Sequence, residues 1–282
     1  MAAESISLRT AAENLGLHYM TVYRYVRTGR LAASKQGGQW FVDPADIEAI
    51  ANGDDSLGDR SGVRTRAPGQ LEDRLLAADE AGAWAVVSQA LTSGAEPSEI
   101  HLRMLIPAMK SIGAQWQRGE IEVFDEHQAT VVASRITARL GPRFHRRGSN
   151  RGLIVVGLIS GDSHALTTAI IADLLRGRRF EVTDLGADTP AESFLEVMGS
   201  ATPEQPLVGV VISSTITENL QQAKNTISTI RTSQPDAVIA LGGTGVPSRV
   251  EAEAAGATIW APDVQRLLER FDELAPPNTR PT

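Results

Sequence analysis

The segment Gly161-Asp162-Ser163-His164-Ala165-Leu166 combines residue types and spacing suited to metal chemistry. It leaves a purely apolar run, residues 153–159, and enters a stretch of helical pattern, residues 167–176. A histidine on the loop after a buried strand belongs to the ligand crevice of an open α/β sheet. An aspartate two residues earlier accepts the proton of one ring nitrogen. That fixes the tautomer and makes the other nitrogen a better metal ligand. The same six residues also suit an ordinary polar loop with an incidental histidine, so the reading depends on the elements around them.

Those elements are five βα units. Apolar strand candidates at residues 153–159, 180–185, 207–213, 237–241 and 257–260 are followed by helical segments at 166–176, 191–198, 217–232, 246–255 and 263–273. This alternation predicts a doubly wound parallel sheet with a flavodoxin-like, Rossmann-type strand order. Ligand loops of such sheets lie at the strand C-termini. Asp162 to His164, Gly186-Ala187-Asp188, Ser213-Ser214-Thr215 and residues 242–245 would therefore share one edge.

Upstream, residues 71–78, 80–92, 97–117 and 124–140 carry helical periodicity, the pattern of a four-helix bundle with short connections. The third helix has an apolar stripe of Ile100, Met104, Ile106, Met109, Ile112 and Trp116, and Gly119 ends it. Asp125 or Glu122 starts the next. Trp116 at one helix end is then joined by a short connection to Glu126-His127 at the start of another. A lone tryptophan on a helix is commonly core and a lone histidine commonly surface. Trp116, then nine residues, then Glu126-His127 at one helix junction is less readily put down to core and surface alone.

At the N-terminus, residues 8–15 and 18–27 read as two helices around a tight Gly16-Leu17 turn, the helix-turn-helix signature. Tyr19, Thr21, Arg24 and Arg27 fall on the outer side of the second helix, Val22 and Val26 on the inner. Residues 31–42 read as a hairpin, and Asp43-Pro44 opens a third helix. Arg24, Arg27, Arg30 and Lys35 cluster on the second helix and the hairpin, which suggests a phosphate-facing side toward double-stranded DNA. A helical protein-interaction module is the alternative. The polar, glycine-rich stretch that follows reads as a flexible tether. The expected domains are 1–52, 53–70 (tether), 71–148, 149–274 and a disordered tail, 275–282.

The chain has 282 residues, 42% of them hydrophobic, and a net charge of −7. That allows two or three domains with real cores and argues against a generally sticky nucleic-acid binder, though a local basic face still suffices. The absence of cysteine excludes disulfides, thiolate metal sites and cysteine nucleophiles. No apolar run approaches the ~20 residues of a membrane span, and no signal pattern opens the chain, so a cytoplasmic protein without membrane association is expected. No Ser-His-Asp arrangement, carboxylate pair or phosphate loop is visible, so no enzymatic activity is expected.

The head resembles the winged helix-turn-helix of the MerR superfamily, on Thr21-Val22-Tyr23-Arg24 and Gly37-Gly38-Gln39-Trp40. The spacing from Trp116 to Glu126-His127, ahead of the Asp162-x-His164 loop, resembles CarH-type adenosylcobalamin-dependent photoreceptor regulators. The resemblance covers about residues 6 to 274, in the family's domain order. It implies a head, a four-helix-bundle cap and a flavodoxin-like cobalamin-binding domain. By the resemblance, His164 ligates cobalt and Asp162 holds it, with Ser163 between them. Trp116 packs over the adenosyl group, and Glu126 and His127 complete the pocket above the corrin. Ser213, Ser214 and Thr215 line the nucleotide tail, and Gly242 and Gly243 let backbone approach it. It further implies a dimer or tetramer that clamps an operator in the dark and dissolves when light breaks the cobalt–carbon bond. Related proteins with a helical cap and an α/β domain carry haem or a bilin instead. Thr167 stands where the family has glycine, Thr215 where it has leucine, and Gln117 where the best-known members have histidine.

Overall fold

Ser7 opens the first helix: its hydroxyl accepts from the Thr10 amide at 3.2 Å. The computed structural model describes residues 5–15, 19, 22, 26, 31, 33–36, 39–51, 66–145 and 150–275. Ile6–Ser7 (β1) precedes Leu8–Leu15 (α1), and Leu8, Ala11 and Ala12 are buried at helical spacing. The expected hairpin forms from Ala33–Gln36 (β2) and Gln39–Val42 (β3), which pair antiparallel. β3 also pairs with β1, giving a sheet ordered β1-β3-β2. A two-residue strand carries no readable alternation, which is why sequence pattern misses β1. Asp43 caps Pro44–Ala51 (α2), its carboxylate accepting from the Ala45 amide at 2.9 Å. Leu8, Ala11, Val22, Leu31, Val42 and Ile47 form the buried core of this head. Of the expected second helix, Tyr19, Val22 and Val26 are described, and all three are helical.

The helical cap comprises Arg66–Leu76 (α3), Glu80–Thr92 (α4), Pro97–Ile100 (α5), Ile106–Gln117 (α6) and Val123–Leu140 (α7). Two expectations are corrected. First, α3 begins at Arg66, so residues 66–70 belong to a helix rather than to the tether. Pro68 is tolerated because it stands in the first turn, where its missing N–H loses no bond. Residues 52–65 lie outside the described residues, as does the tail from 276. Second, residues 97–117 are not one continuous α-helix. His101–Leu105 form a π-helical turn in which the Ile106 amide donates to the His101 carbonyl, five residues back. Pro107 follows, lacks an N–H and crowds the carbonyl four residues before it, and a wider turn relieves both problems. Ile100, Met104, Leu105, Ala108 and Ile112 are buried along this rod, whereas Trp116 is 46% exposed. α7 buries Ala129, Val132, Ala133, Ile136 and Leu140, the stripe of an amphipathic helix. The chain divides into two compact units, Met1–Ile136 and Thr137–Thr282, with the division inside α7.

The second unit is built from Leu153–Leu158 (β4), Leu166–Gly177 (α8), Glu181–Asp184 (β5), Ala191–Met198 (α9), Leu207–Ser213 (β6), Leu220–Ser233 (α10), Ile239–Gly242 (β7), Arg249–Ala254 (α11), Ile259–Ala261 (β8) and Val264–Leu274 (α12). All five strands are parallel, in the order β5-β4-β6-β7-β8, which is the order expected. All six residues of β4 are buried. A central strand covered on both faces has no polar side to show, so its sequence is continuously apolar rather than alternating. The chain passes from β4 to β5 on one side and then back past β4 to β6. That reversal opens a crevice at the C-terminal ends of β4 and β6. Residues 217–219 form a 3-10 turn before α10. α11 starts three residues later than its pattern suggests, after Pro247, with the Ser248 hydroxyl accepting from the Glu251 amide at 3.4 Å.

Candidate functional site

The loop after β4 turns sharply: the Asp162 amide donates back to the Ile159 carbonyl at 3.1 Å. This turn sends the Asp162 side chain inward, where it is fully buried. Four protein groups then converge on its carboxylate. The His164 amide donates to Oδ1 at 3.2 Å, and His164 Nδ1 lies 2.8 Å from the same oxygen. The Thr215 amide, from the loop after β6, donates to Oδ2 at 2.6 Å. The Thr215 hydroxyl lies 2.9 Å from both carboxylate oxygens and 2.7 Å from His164 Nδ1. Burial pushes the Asp162 carboxyl up. The His164 ring, the Thr215 amide and hydroxyl, and the His164 amide together outweigh it and hold the group below its ordinary value of 3.8. The carboxylate is therefore charged at neutral pH, and a charged acceptor at 2.8 Å requires the proton on Nδ1. Nε2, on a ring that is 52% exposed, then carries the lone pair a metal would take.

The loop after β5 locks onto this turn. The Asp188 amide donates to the Asp162 carbonyl at 2.9 Å, and its carboxylate accepts from the Gly161 amide at 2.8 Å. Asp188 adopts a left-handed backbone, φ 49°, which aspartate tolerates better than most residues. Ser163 is exposed, and its carbonyl accepts from the Ala165 amide at 2.9 Å. Ser213 and Ser214 are buried at the end of β6. The Ser214 hydroxyl donates to the Ile216 carbonyl at 3.2 Å, whereas the Ser213 hydroxyl has no hydrogen-bond partner among the described residues.

Gly242 and Gly243 have reasons to be glycine inside the protein itself. A Cβ on Gly242 would come within 2.7 Å of the Ala261 carbonyl oxygen. Gly243 has φ 105°, and a Cβ there would collide with the Ser214 carbonyl. Gly242 thus lets β7 lie close against the end of β8, and Gly243 lets the loops after β6 and β7 close on each other, as in the Gly245 amide donating to the Ser214 carbonyl at 2.9 Å. Gly243→Ala is expected to destabilise the protein by about 2 kcal/mol through strain and collision, read as a lowered melting temperature without cofactor.

Trp116, Glu126 and His127 lie in the first unit. Trp116 stands in the last turn of α6 and is half-exposed. Glu126, in the first turn of α7, accepts from the Thr130 hydroxyl at 2.8 Å. His127 is exposed, its Nε2 3.8 Å from Glu126 Oε2. Tyr19 is exposed on the head and Lys35 stands on β2, while Thr21, Arg24 and Arg27 lie outside the described residues. The structure thus brings Asp162, His164 and Thr215 into one network. It gives Thr215 a partner set that the sequence reading, which placed it on the tail, does not contain. The signal was present as a hydroxyl where the family has leucine.

The arrangement suits a metal that arrives with its own equatorial ligands. Among the described residues no group of three or more His, Cys, Asp or Glu side chains could hold a bare ion. One oriented histidine nitrogen is what a macrocycle-bound cobalt needs from the protein. The unpartnered Ser213 hydroxyl, beside the same crevice, would be satisfied by a bound polar group. The residues present therefore fit a cobalamin.

Comparison with known proteins agrees. Residues 69–140 and residues 152–266 each match a family model described as a B12 binding domain, and residues 6–54 match a helix-turn-helix domain. The dimethylamine corrinoid protein of Methanosarcina barkeri is 27% identical over 208 residues, 73% of this chain and 95% of that protein. Trimethylamine corrinoid protein 1 of Methanosarcina acetivorans is 27% identical over 157 residues, 54% of this chain and 72% of that protein. The solved monomethylamine corrinoid protein of Methanosarcina barkeri superposes with a TM-score of 0.65 at 20% identity, covering 74% of this chain and 99% of that one, and so shares the fold. The chain thus carries B12-binding domains behind an N-terminal helix-turn-helix domain, and these matches support a cobalamin cofactor. No helix among the described residues is long and apolar enough to cross a membrane.

Proposed function

We propose that this protein is a light-responsive transcriptional regulator that uses adenosylcobalamin as its chromophore and has no enzymatic activity of its own. The observation that carries the reading is the co-occurrence, in one chain, of the buried Asp162 hydrogen-bonded to the half-exposed His164 with a helix-turn-helix domain. When bound, the cofactor supplies visible absorbance and a cobalt–carbon bond that light breaks. The protein's part is to hold and to report. Asp162 and the loops it ties together orient His164 toward the cobalt. In this reading Trp116 would pack over the adenosyl group, and Glu126 and His127 would complete the pocket above the corrin. Loss of that contact changes which assembly the chain prefers, a population shift between a DNA-clamping oligomer and a smaller form. Tyr19, Thr21, Arg24, Arg27 and Lys35 contact the operator duplex.

The test is an absorption spectrum, an operator titration and a solution mass, each taken in the dark with adenosylcobalamin and again after green light. A converting alkylcobalamin spectrum with lower light-state mass and operator affinity is the expected result. Equal mass and equal operator affinity in both states would sink the photoswitch. A haem- or bilin-like band instead would remove the cobalamin claim. The curated corrinoid relatives favour a second reading, a carrier of a cobalamin that another protein methylates and demethylates. Loaded protein that binds no duplex above the level of random DNA would favour that carrier.

A further inference from the structure

We propose that Thr215 makes the His164–cobalt bond releasable, by sharing the Asp162 carboxylate with the imidazole. The inference rests on the cobalamin reading above and concerns how firmly the chain holds its metal. The resemblance puts a leucine at this position, which could make none of the side-chain contacts observed here. The Thr215 hydroxyl sits 2.9 Å from each Asp162 oxygen and 2.7 Å from His164 Nδ1. One hydroxyl therefore touches both members of the ligand-holding pair.

Two effects act in the same direction. While His164 is in place, the Thr215 O–H takes up part of the carboxylate charge. Less charge then bears on the Nδ1 proton, and the imidazole is a weaker donor to cobalt through Nε2. When the ring swings away, Asp162 is a buried carboxylate that has lost its ring donor. With Thr215 it keeps three donors, the two backbone amides and the hydroxyl. With leucine or valine it would keep only the amides, and an under-bonded buried charge is costly. Threonine thus lowers the free energy of the histidine-off state and weakens the histidine-on state. The Thr244 hydroxyl donates to the Thr215 carbonyl at 2.8 Å, so the loop that carries this hydroxyl is itself held in place.

The test compares the parent, Thr215→Val and Thr215→Ser, each uniformly labelled with 15N and loaded with cob(II)alamin. Electron paramagnetic resonance then reads the nucleus on the axial position. A 15N doublet reports protein histidine, and a 14N triplet reports the cofactor's own base. Ring 15N chemical shifts of the cofactor-free proteins and their melting temperatures report the tautomer and the fold separately. The expected result is a histidine-on to histidine-off ratio about tenfold higher in Thr215→Val, the scale of one charge-assisted hydrogen bond. Thr215→Ser, which keeps the hydroxyl, should match the parent, and Nδ1 should stay protonated in all three. An unchanged or lower ratio in Thr215→Val, with the parent showing the 15N doublet, overturns the role of Thr215 and leaves the cobalt assignment standing. A Thr215→Ser that behaves like the valine variant overturns it too, because the hydroxyl would not be the cause. No 15N coupling in His164-containing parent protein overturns both together.

Discussion

His164→Ala should lower cobalamin retention by about 100-fold or more and remove the protein nitrogen from cobalt. Removing a partner of a metal-bound histidine typically costs 10- to 100-fold in affinity, and removing the ligand itself costs at least the upper end of that. The fold should survive. The ring is half-exposed, and its loss removes one donor from Asp162 while the two amides and the Thr215 hydroxyl remain. The stability cost is expected at about 1–2 kcal/mol. Dialysis of loaded protein followed by its visible spectrum measures retention, and a thermal melt of cofactor-free protein measures the fold. Added imidazole should restore part of the axial coordination in the cavity the substitution leaves. Full retention of cobalamin by His164→Ala would exclude His164 as the ligand.

Asp162→Asn should be the more damaging change to the protein itself. The carboxylate accepts at both oxygens from backbone amides, the Thr215 hydroxyl and the His164 ring. An asparagine keeps one acceptor oxygen and turns an NH2 toward donors. One buried backbone amide is left facing a donor, and the Nδ1 proton loses its charged acceptor. The expected cost is about 3 kcal/mol, and cobalamin affinity should fall 10- to 100-fold even though His164 remains. The melting temperature should drop by roughly 10 °C for a unit of this size. pH adds a check of sign. The folded carboxyl titrates below its ordinary 3.8, so its stabilising contribution is complete above that value and is lost as pH falls through the depressed one. The carboxyl's own contribution to the stability difference between parent and Asp162→Asn should be lost only as pH falls into the acid range below 3.8. A difference that shrinks near pH 6 would point to a different group.

Much of the fold was legible because burial leaves a direct imprint on composition. β4 is apolar at every position since both of its faces are covered, and the flavodoxin-like order follows from five βα units under the handedness and crossover rules of parallel sheets. Helix ends were legible where a side chain does the capping, as at Asp43. The misses have equally local causes. β1 is too short to show a period. The π-helical turn before Pro107 is a backbone answer to a single residue inside an otherwise regular stripe. The early start of α3 depends on a proline being harmless in a first turn.

For the site, the amino-acid sequence by itself determined the chemistry: one histidine, an aspartate two residues before it, no cysteine, and an apolar strand leading to them. It also determined that the loops after β4, β5, β6 and β7 meet at one edge, because parallel strands end together. Tertiary structure alone decided which groups touch. Thr215 lies 53 residues from Asp162 along the chain, and only the pairing of β4 with β6 brings its amide and hydroxyl onto that carboxylate. Likewise, the smallness of Gly243 answers to the Ser214 carbonyl on a neighbouring loop. Spacing within a loop is set by covalent geometry and can be read directly. Contacts between loops are set by strand register, which no residue reports until its neighbour is in place.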